Sequence, residues 1–415
     1  VNSTTPPSTV NLAGTAPDAV QRRVLTVVFY SQILSGAGLA AGITVGALLA
    51  QDMLGSAGLA GLPSALYTAG SALAAVAVGR LTQARGRRPG LAAGYLAGAV
   101  GSVGVVLAAV LTNPALLFAA LFVYGAGTAT NLQARYAGAD LAEPTHRARA
   151  LSTVLVATTL GGVVGPNLAA PTGDLASAIG IPYLAGPFML AAVAYGAAAL
   201  VLAVWLRPDP LLVARTRHLN RAAAAAAVPK RARRGGLVFG AVVMVLTQLV
   251  MVAIMTMTPV HMHRHGHGAA ASGFVIAMHV AAMYLPSPLT GRLVDRFGPG
   301  RIAAASGITL LAAGVLAATA PADSVTVLTV ALALLGLGWN FGLISGTTVI
   351  TETVPLATRA KTQGVVDVAI AIAGATGGMA SGLVTAATSF PVLAVGGGML
   401  ALLILPALPL LAKDR

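Results

Sequence analysis

A short basic segment occurs twice in this chain, about half its length apart, each time between two long apolar runs. The first copy reads Gly79-Arg80-Leu81-Thr82-Gln83-Ala84-Arg85-Gly86-Arg87-Arg88. The second reads Gly291-Arg292-Leu293-Val294-Asp295-Arg296-Phe297-Gly298-Pro299-Gly300-Arg301. Apolar stretches long enough to cross a bilayer, joined by short charged turns and repeated as a set, leave one solution: a duplicated bundle of membrane helices. Composition agrees. With 57% hydrophobic and 9% charged residues over 415 positions, there is too little charge to cover a soluble domain. The 49 glycines suit helices that pack closely in lipid.

Apolar runs begin near Val24, Gly61, Leu91, Ala115, Ala150 and Pro182, and again near Leu237, Ala271, Arg301, Val325, Thr362 and Phe390. The expected fold is therefore an all-α membrane protein, with twelve transmembrane helices in two six-helix bundles. Residues 1–20 are polar, rich in Ser, Thr and Pro, and lack the basic and apolar regions of a signal peptide; they are expected to be a disordered tail. The first bundle is expected over 21–206, a basic linker over 207–236 and the second bundle over 237–411. The net charge of +14 raises the question of nucleic acid, but its placement excludes that partner. With both termini inside, every Lys and Arg except Arg264 falls on the cytoplasmic side, which is the positive-inside pattern of a multi-pass protein in a bacterial-type plasma membrane. The linker arginines Arg215, Arg217 and Arg221 are expected to face anionic headgroups. A monomer with no cofactor is expected.

The repeat extends further. Gly125-Ala126-Gly127 corresponds to Gly336-Leu337-Gly338, and the loop carrying Asp140, Glu143, Arg147 and Arg149 corresponds to the one carrying Glu352, Arg359 and Lys361. Parallel six-helix repeats place a substrate site near the midplane between the halves. In these features the chain resembles the major facilitator superfamily of secondary transporters, over nearly its whole length. The basic segments match that family's signature loop, Gly-x-x-x-Asp-Arg-x-Gly-Arg-Arg. The resemblance implies that Gly79, Gln83, Arg87, Gly291, Asp295 and Arg296 latch the cytoplasmic ends of the two halves. An ionised Asp in the loop favours the N-terminus of a facing helix. Asp295 supplies this charge, whereas Gln83 can only hydrogen-bond, so the first latch is expected to be the weaker. Asp140 and Glu352 are the expected acidic partners of the two loops. The run Gly161-Gly162-Val163-Val164-Gly165-Pro166-Asn167-Leu168-Ala169-Ala170 resembles the family's exporter-associated motif, with alanines in place of its last two glycines. Gly161 and Gly165 there allow close backbone approach, and Pro166 softens the helix.

There is no Cys, no Gly-x-x-x-x-Gly-Lys-Ser/Thr phosphate loop and no nucleophile–base–acid set. An enzyme and an ATP-driven pump are both excluded on that basis. The candidate site residues lie on the seventh and eighth spans. Met251 and Met255, and likewise His279 and Met283, share a helix face at i, i+4 spacing. With the seventh span ending near Pro259 and the eighth beginning near Ala271, Met251 and His279 both fall roughly 12 Å below the outer surface. Thioether and imidazole without carboxylate suit copper, Cu(I) above all; the same residues also serve as core filler and as a packed or proton-carrying histidine. The hairpin resembles the copper-importing major facilitators that supply cytochrome oxidase assembly. That resemblance implies copper as substrate and Met251, Met255, His279 and Met283 as its ligands. His261, His263, His265 and His267 could collect a metal ion outside. Asp367 is either a proton-coupling carboxylate or the structural partner of a loop arginine, and Arg135 offers the same choice. Asn131, Gln248, Trp339 and Asn340 either contact substrate or bridge helices. The competing reading is a proton-coupled exporter of drugs or other small molecules.

Overall fold

The structure is a computed structural model, and it describes residues 17–54, 62–225, 234–321 and 323–412. The described residues are helical with no strand. The first half comprises α1 (Pro17–Leu54), α2 (Leu62–Arg85), α3 (Arg87–Val110), α4 (Pro114–Ala139), α5 (Arg147–Asn167), α6 (Ala169–Ala178) and α7 (Gly186–Trp205). A linker helix, α8 (Pro210–Ala225), follows. The second half comprises α9 (Arg234–Arg264), α10 (Ala269–Tyr284), α11 (Ser287–Phe297), α12 (Pro299–Thr319), α13 (Val325–Thr353), α14 (Arg359–Ala387), α15 (Phe390–Ala401), α16 (Ile404–Ala407) and α17 (Pro409–Ala412). Among the described residues, ten helical stretches are long and apolar enough to span a membrane. The passes made by α1 and by α5 with α6 complete the twelve.

Three of the expected spans differ in detail. The fifth is broken at Leu168 into α5 and α6, just after Pro166. The eighth is broken at Leu285 and Pro286 into α10 and α11. The break leaves the Met283 carbonyl without its helical donor, and Asn340 Nδ2 on α13 replaces it at 2.6 Å while also reaching Ser287 Oγ at 2.7 Å. The seventh, by contrast, does not stop at Pro259. It runs on to Arg264, because a membrane helix tolerates one missing N–H when neighbouring helices hold it. The tail expected over 1–20 is helical from Pro17 onward. Residues before Pro17, and Lys230, Arg231 and Arg233 of the linker, lie outside the described residues.

The signature segments are hardly loops. Helices α2 and α11 continue to Arg85 and Phe297, and the turn in each is a single glycine. Gly86 has φ 106° and Gly298 has φ 87°, values at which a side chain is strained and a glycine is not. Each turn therefore costs one residue, and the helices on either side reach the membrane face at full length.

The first half is pinned by buried polar groups. Gln32 on α1 donates to Thr158 Oγ1 and to the Asn131 carbonyl, both at 3.1 Å, and Tyr95 donates to Ser35 Oγ at 3.0 Å. Asn131 Nδ2 donates to the same Ser35 oxygen at 2.8 Å, so Asn131 bridges helices. Gly161 is where α5 meets α1. A Cβ there would collide with the Ile33 carbonyl and lie 2.7 Å from the Ala37 nitrogen. Gly161→Ala is expected to destabilise the first half by about 1–3 kcal/mol, read as a lower thermal midpoint in detergent. An unchanged midpoint would remove Gly161 from this packing.

Candidate functional site

The two halves touch chiefly where α2 meets α14 and α5 meets α11, and small residues bring them together. Gly79 on α2 has the Ala360 carbonyl and Gly364 Cα of α14 at 2.9 and 3.1 Å from where its Cβ would be. Gly291 on α11 is covered by Ser152 Oγ, with the Ala148 carbonyl at 2.8 Å, both from α5. Both contacts lie at the ends of the helices that carry the basic segments. Hydrogen bonds and ion pairs that join the halves lie toward that end of the molecule. The bundle is thus closed on its basic face.

Two clamps of different chemistry hold the closure. Asp295 Oδ1 and Oδ2 accept from the Ala148 and Arg149 amides at 3.0 and 3.1 Å, and Arg149 Nε lies 3.4 Å away. A carboxylate there meets the positive end of α5. Gln83 takes the equivalent place in the other seam. Its Oε1 accepts from Ala360 N at 2.8 Å and Lys361 N at 3.4 Å at the start of α14. Its Nε2 donates to the carbonyls of Leu356 and Ala357 at 3.3 and 2.7 Å. A carboxylate could not make the last two bonds, so glutamine compensates in number for what it lacks in charge. Arg296 lies over the Phe297 ring at 5.2 Å and takes no part in these bonds. Glu352 does not pair with an arginine of the second segment among the described residues. It is exposed, and Asp295 answers instead to Arg149 of the other half. Charge-assisted bonds are roughly twice as strong as neutral ones. Asp295→Ala is accordingly expected to loosen the closed face by about 1–2 kcal/mol and Gln83→Ala by less. The buried Ser152, changed to Cys in this cysteine-free chain, reports the opening through its rate of modification by a water-soluble maleimide. Equal rates in both variants would contradict the ranking.

Behind the clamps lie two buried ion pairs. Arg87 Nε meets Asp140 Oδ2 at 2.7 Å, and Arg87 Nη2 donates across the seam to Gln363 Oε1 on α14 at 2.7 Å. The expected pairing of Asp140 with the first segment is therefore present. Deeper still, Arg135 Nη2 on α4 donates to Asp367 Oδ1 on α14 at 2.9 Å, and Arg135 Nε donates to Thr347 Oγ1 on α13 at 3.2 Å. Tyr136 OH reaches Asp367 Oδ1 at 3.3 Å. The second oxygen, Oδ2, is buried without a partner. Asp367 thus pairs with an arginine inside a span of the opposite half, and not with a loop arginine. Sequence reading missed Tyr136, Thr347 and Gln363. Gln363 stands one helical turn before Asp367, on the same face of α14, and that spacing was the available signal.

Roughly 10–12 Å from this pair along α13 and α14 is an aromatic group. Trp339 Nε1 on α13 donates to Gln248 Oε1 on α9 at 2.8 Å, and Tyr284 of α10 sets its ring edge-on to Trp339 at 5.5 Å. Tyr284 is within electrostatic range of Tyr67 on α2 and of Arg135. Tyr67 packs on Tyr124 at 5.7 Å and shares a hydrogen bond with Thr128. Gln248, Tyr284 and Tyr67 are all half-buried.

The Met/His residues are placed differently from one another. His279 is fully buried; its Nδ1 donates to the Leu332 carbonyl of α13 at 2.8 Å, and its Nε2 has no partner. Met283 follows one turn later against Gly336. Met251 is buried on α9, one turn beyond Thr247 on the side that meets α13 at Gly342 and Gly346; Met255 is half-buried. His279 and Met283 thus lie against α13. Outside, the ring centroids of His261 and His265 lie 4.3 Å apart, and His261 stacks on Phe390. The other two do not complete a site, and among the described residues no group of three His, Cys, Asp or Glu side chains could hold a metal ion. Residues 261–264 are helical and not extended, which points alternate histidines in different directions.

A helical duplicated bundle closed at one face by these clamps is a carrier architecture, and comparison with known proteins agrees. The Major Facilitator Superfamily model matches residues 28–378 and 267–415. The chain belongs to the Major Facilitator Superfamily. It is a multi-pass secondary transporter of small molecules, and not an enzyme. It is 56% identical over 94% of its length to the uncharacterized MFS-type transporter YdeG of Bacillus subtilis, covering 91% of that protein. It is 32% identical over 83% of its length to the riboflavin transporter RfnT of Brucella anthropi, covering 85% of it. The crystal structure of the human organic anion transporter MFSD10 (TETRAN) superposes with a TM-score of 0.76 at 17% identity, over 94% of this chain and 99% of that one, which concerns the fold alone.

Proposed function

We propose that this transporter moves a small organic solute with a flat, partly polar body, and that Asp367 couples its movement to protons. The observation that carries the reading is the Gln248–Trp339–Tyr284 group, set two to three helical turns from the Arg135–Asp367 pair. Aromatic faces with a few fixed hydrogen-bonding groups are what such a ligand requires. The 32% identity to a protein named for riboflavin transport supports the same class of solute. The positive-inside rule makes the closed basic face cytoplasmic, so this conformation opens outward, with the ion pair at its floor. Protonation of Asp367 would release Arg135 and let the halves rock. The molecule works as a monomer, since one chain supplies both halves of the site.

Copper remains the second reading, favoured by one feature: with Nδ1 committed to a backbone carbonyl, His279 Nε2 keeps a bare lone pair inside the bundle, the arrangement that fixes a ligating imidazole. Proteoliposomes separate the two. Radiolabelled riboflavin and ethidium flux that depends on a pH gradient and falls at least tenfold in Trp339→Ala supports the organic solute. Copper accumulation that is lost in Met251→Ala and His279→Ala supports the metal. Flux of every organic probe equal to that of empty vesicles, together with copper accumulation, would overturn the first reading.

A further inference from the structure

A cavity of about 570 Å³ opens on the basic face, beside the Gln83 clamp and under the linker helix α8. Its basic side chains are Arg80, Arg215, His218 and Lys361, and its apolar wall includes Leu219 and Leu356. No carboxylate among the described residues lies within ion-pair distance of these groups. Arg215 Nη2 donates to the Gln83 carbonyl at 2.6 Å, which fixes the guanidinium at the cavity wall, and Arg215 Nε is buried without a partner. The clamp residue therefore contributes to both structures: its side chain bonds α14, and its backbone orients a cation of the cavity.

The lining comes from both halves. Arg80 belongs to α2, and Arg215 and His218 to the linker helix, while Leu356 and Lys361 belong to the second half. The cavity consequently exists in full only while the basic face is closed. Arg80, Arg215 and Lys361, with no acid among them, select an anion with several oxygens, and guanidinium groups favour phosphate in particular. The volume exceeds that of a bare phosphate ion, and the leucine wall leaves room for an apolar extension.

We infer that this cavity binds a phosphate-bearing anion, either the headgroup of an anionic lipid or a soluble phosphate, and that the bound anion holds the basic face closed. A ligand that meets its full set of partners in one conformation must shift the equilibrium towards it. The inference goes beyond the transported solute and needs no knowledge of it. It concerns control of the cycle through a site remote from the Trp339 group.

The test is a distance measurement. The chain contains no cysteine, so Leu111→Cys and Thr388→Cys, both exposed on the opposite face and one on each half, carry the only spin labels. Nanodiscs of phosphatidylcholine, of phosphatidylcholine with phosphatidylglycerol, and of phosphatidylcholine with added inorganic phosphate are compared. The population with widely separated labels is expected to rise at least about fivefold relative to the closed-outside population in phosphatidylglycerol, in phosphate, or in both. Phosphatidylglycerol alone identifies a lipid headgroup, and a response to phosphate establishes a soluble source. The rise is expected to vanish in Arg80→Gln/His218→Gln/Lys361→Gln, which changes only exposed side chains, and to survive in Lys361→Arg. No response in any condition, or a response that persists in the triple variant, overturns the inference. Because the labels report closure and not flux, that outcome is distinct from failure of the organic-solute reading.

Discussion

Asp367→Asn is expected to abolish flux driven by a pH gradient and to shift the resting molecule away from the basic-face-closed state. In the closed bundle Arg135 is fully buried, and its one carboxylate partner comes from the opposite half. Removing that partner leaves a guanidinium without its counter-charge in a low-dielectric seam, which costs about 3–5 kcal/mol. The closed state would lose about two to three and a half powers of ten in relative population. Arg135→Gln combined with Asp367→Asn removes both charges together. The double variant is expected to recover much of the closed population, because the cost comes from an unpaired charge and not from a lost attraction. It should not recover coupling to protons, since the carboxylate proposed to carry them is gone. Label distances across the outer face give the first quantity, and proteoliposome flux with and without a pH gradient gives the second. Wild-type gradient-driven flux in Asp367→Asn would sink the coupling role. Failure of the double variant to close would show that the pair's geometry, and not its charge balance, holds the seam.

Asp140→Ala is the second large effect, and it falls on a different quantity. Arg87 and Asp140 both belong to the first half, on α3 and at the end of α4, and neither side chain is more than 1% exposed. Breaking this pair therefore destabilises the half itself, by about 3–5 kcal/mol, before it affects the seam. Gln363 still accepts one bond from Arg87 and offsets part of the loss. The expected result is a clear fall in thermal midpoint and in yield of monodisperse protein. Asp140→Asn, which keeps the shape and some of the hydrogen bonding, should lose less. A midpoint within error of wild type for Asp140→Ala would mean that Gln363 and the Tyr136 ring, 5.6 Å from the Arg87 guanidinium, satisfy the arginine without a carboxylate.

These two pairs show where sequence reading stops. Asp140 was legible as the partner of the first basic segment, because the repeat sets an acidic loop beside a basic one. The same logic assigned Glu352 to the second segment and failed. Asp295 is itself acidic, so it seeks the amides and arginine at the start of α5, and Glu352 is left exposed. Asp367 and Arg135 were each legible as ionisable groups in spans, a costly placement that signals function. That they meet could not be read, because their separation in sequence carries no register between halves. Gln83 was legible as a departure from the signature. Its four hydrogen bonds were not, since they depend on a helix start and two carbonyls nearly three hundred positions away.

By itself the sequence determined the number of spans, their duplication and the crowding of charge on one face, because the bilayer imposes length, apolarity and charge placement on any chain that crosses it. Tertiary structure decided which groups became partners. In a bundle whose helices are nearly all apolar, rotation and depth of each helix are set by small-residue contacts such as Gly79 on Gly364 and Gly161 on α1. Those contacts, and not local pattern, bring Arg135 to Asp367 and Trp339 to Gln248 while turning His279 onto the α13 backbone.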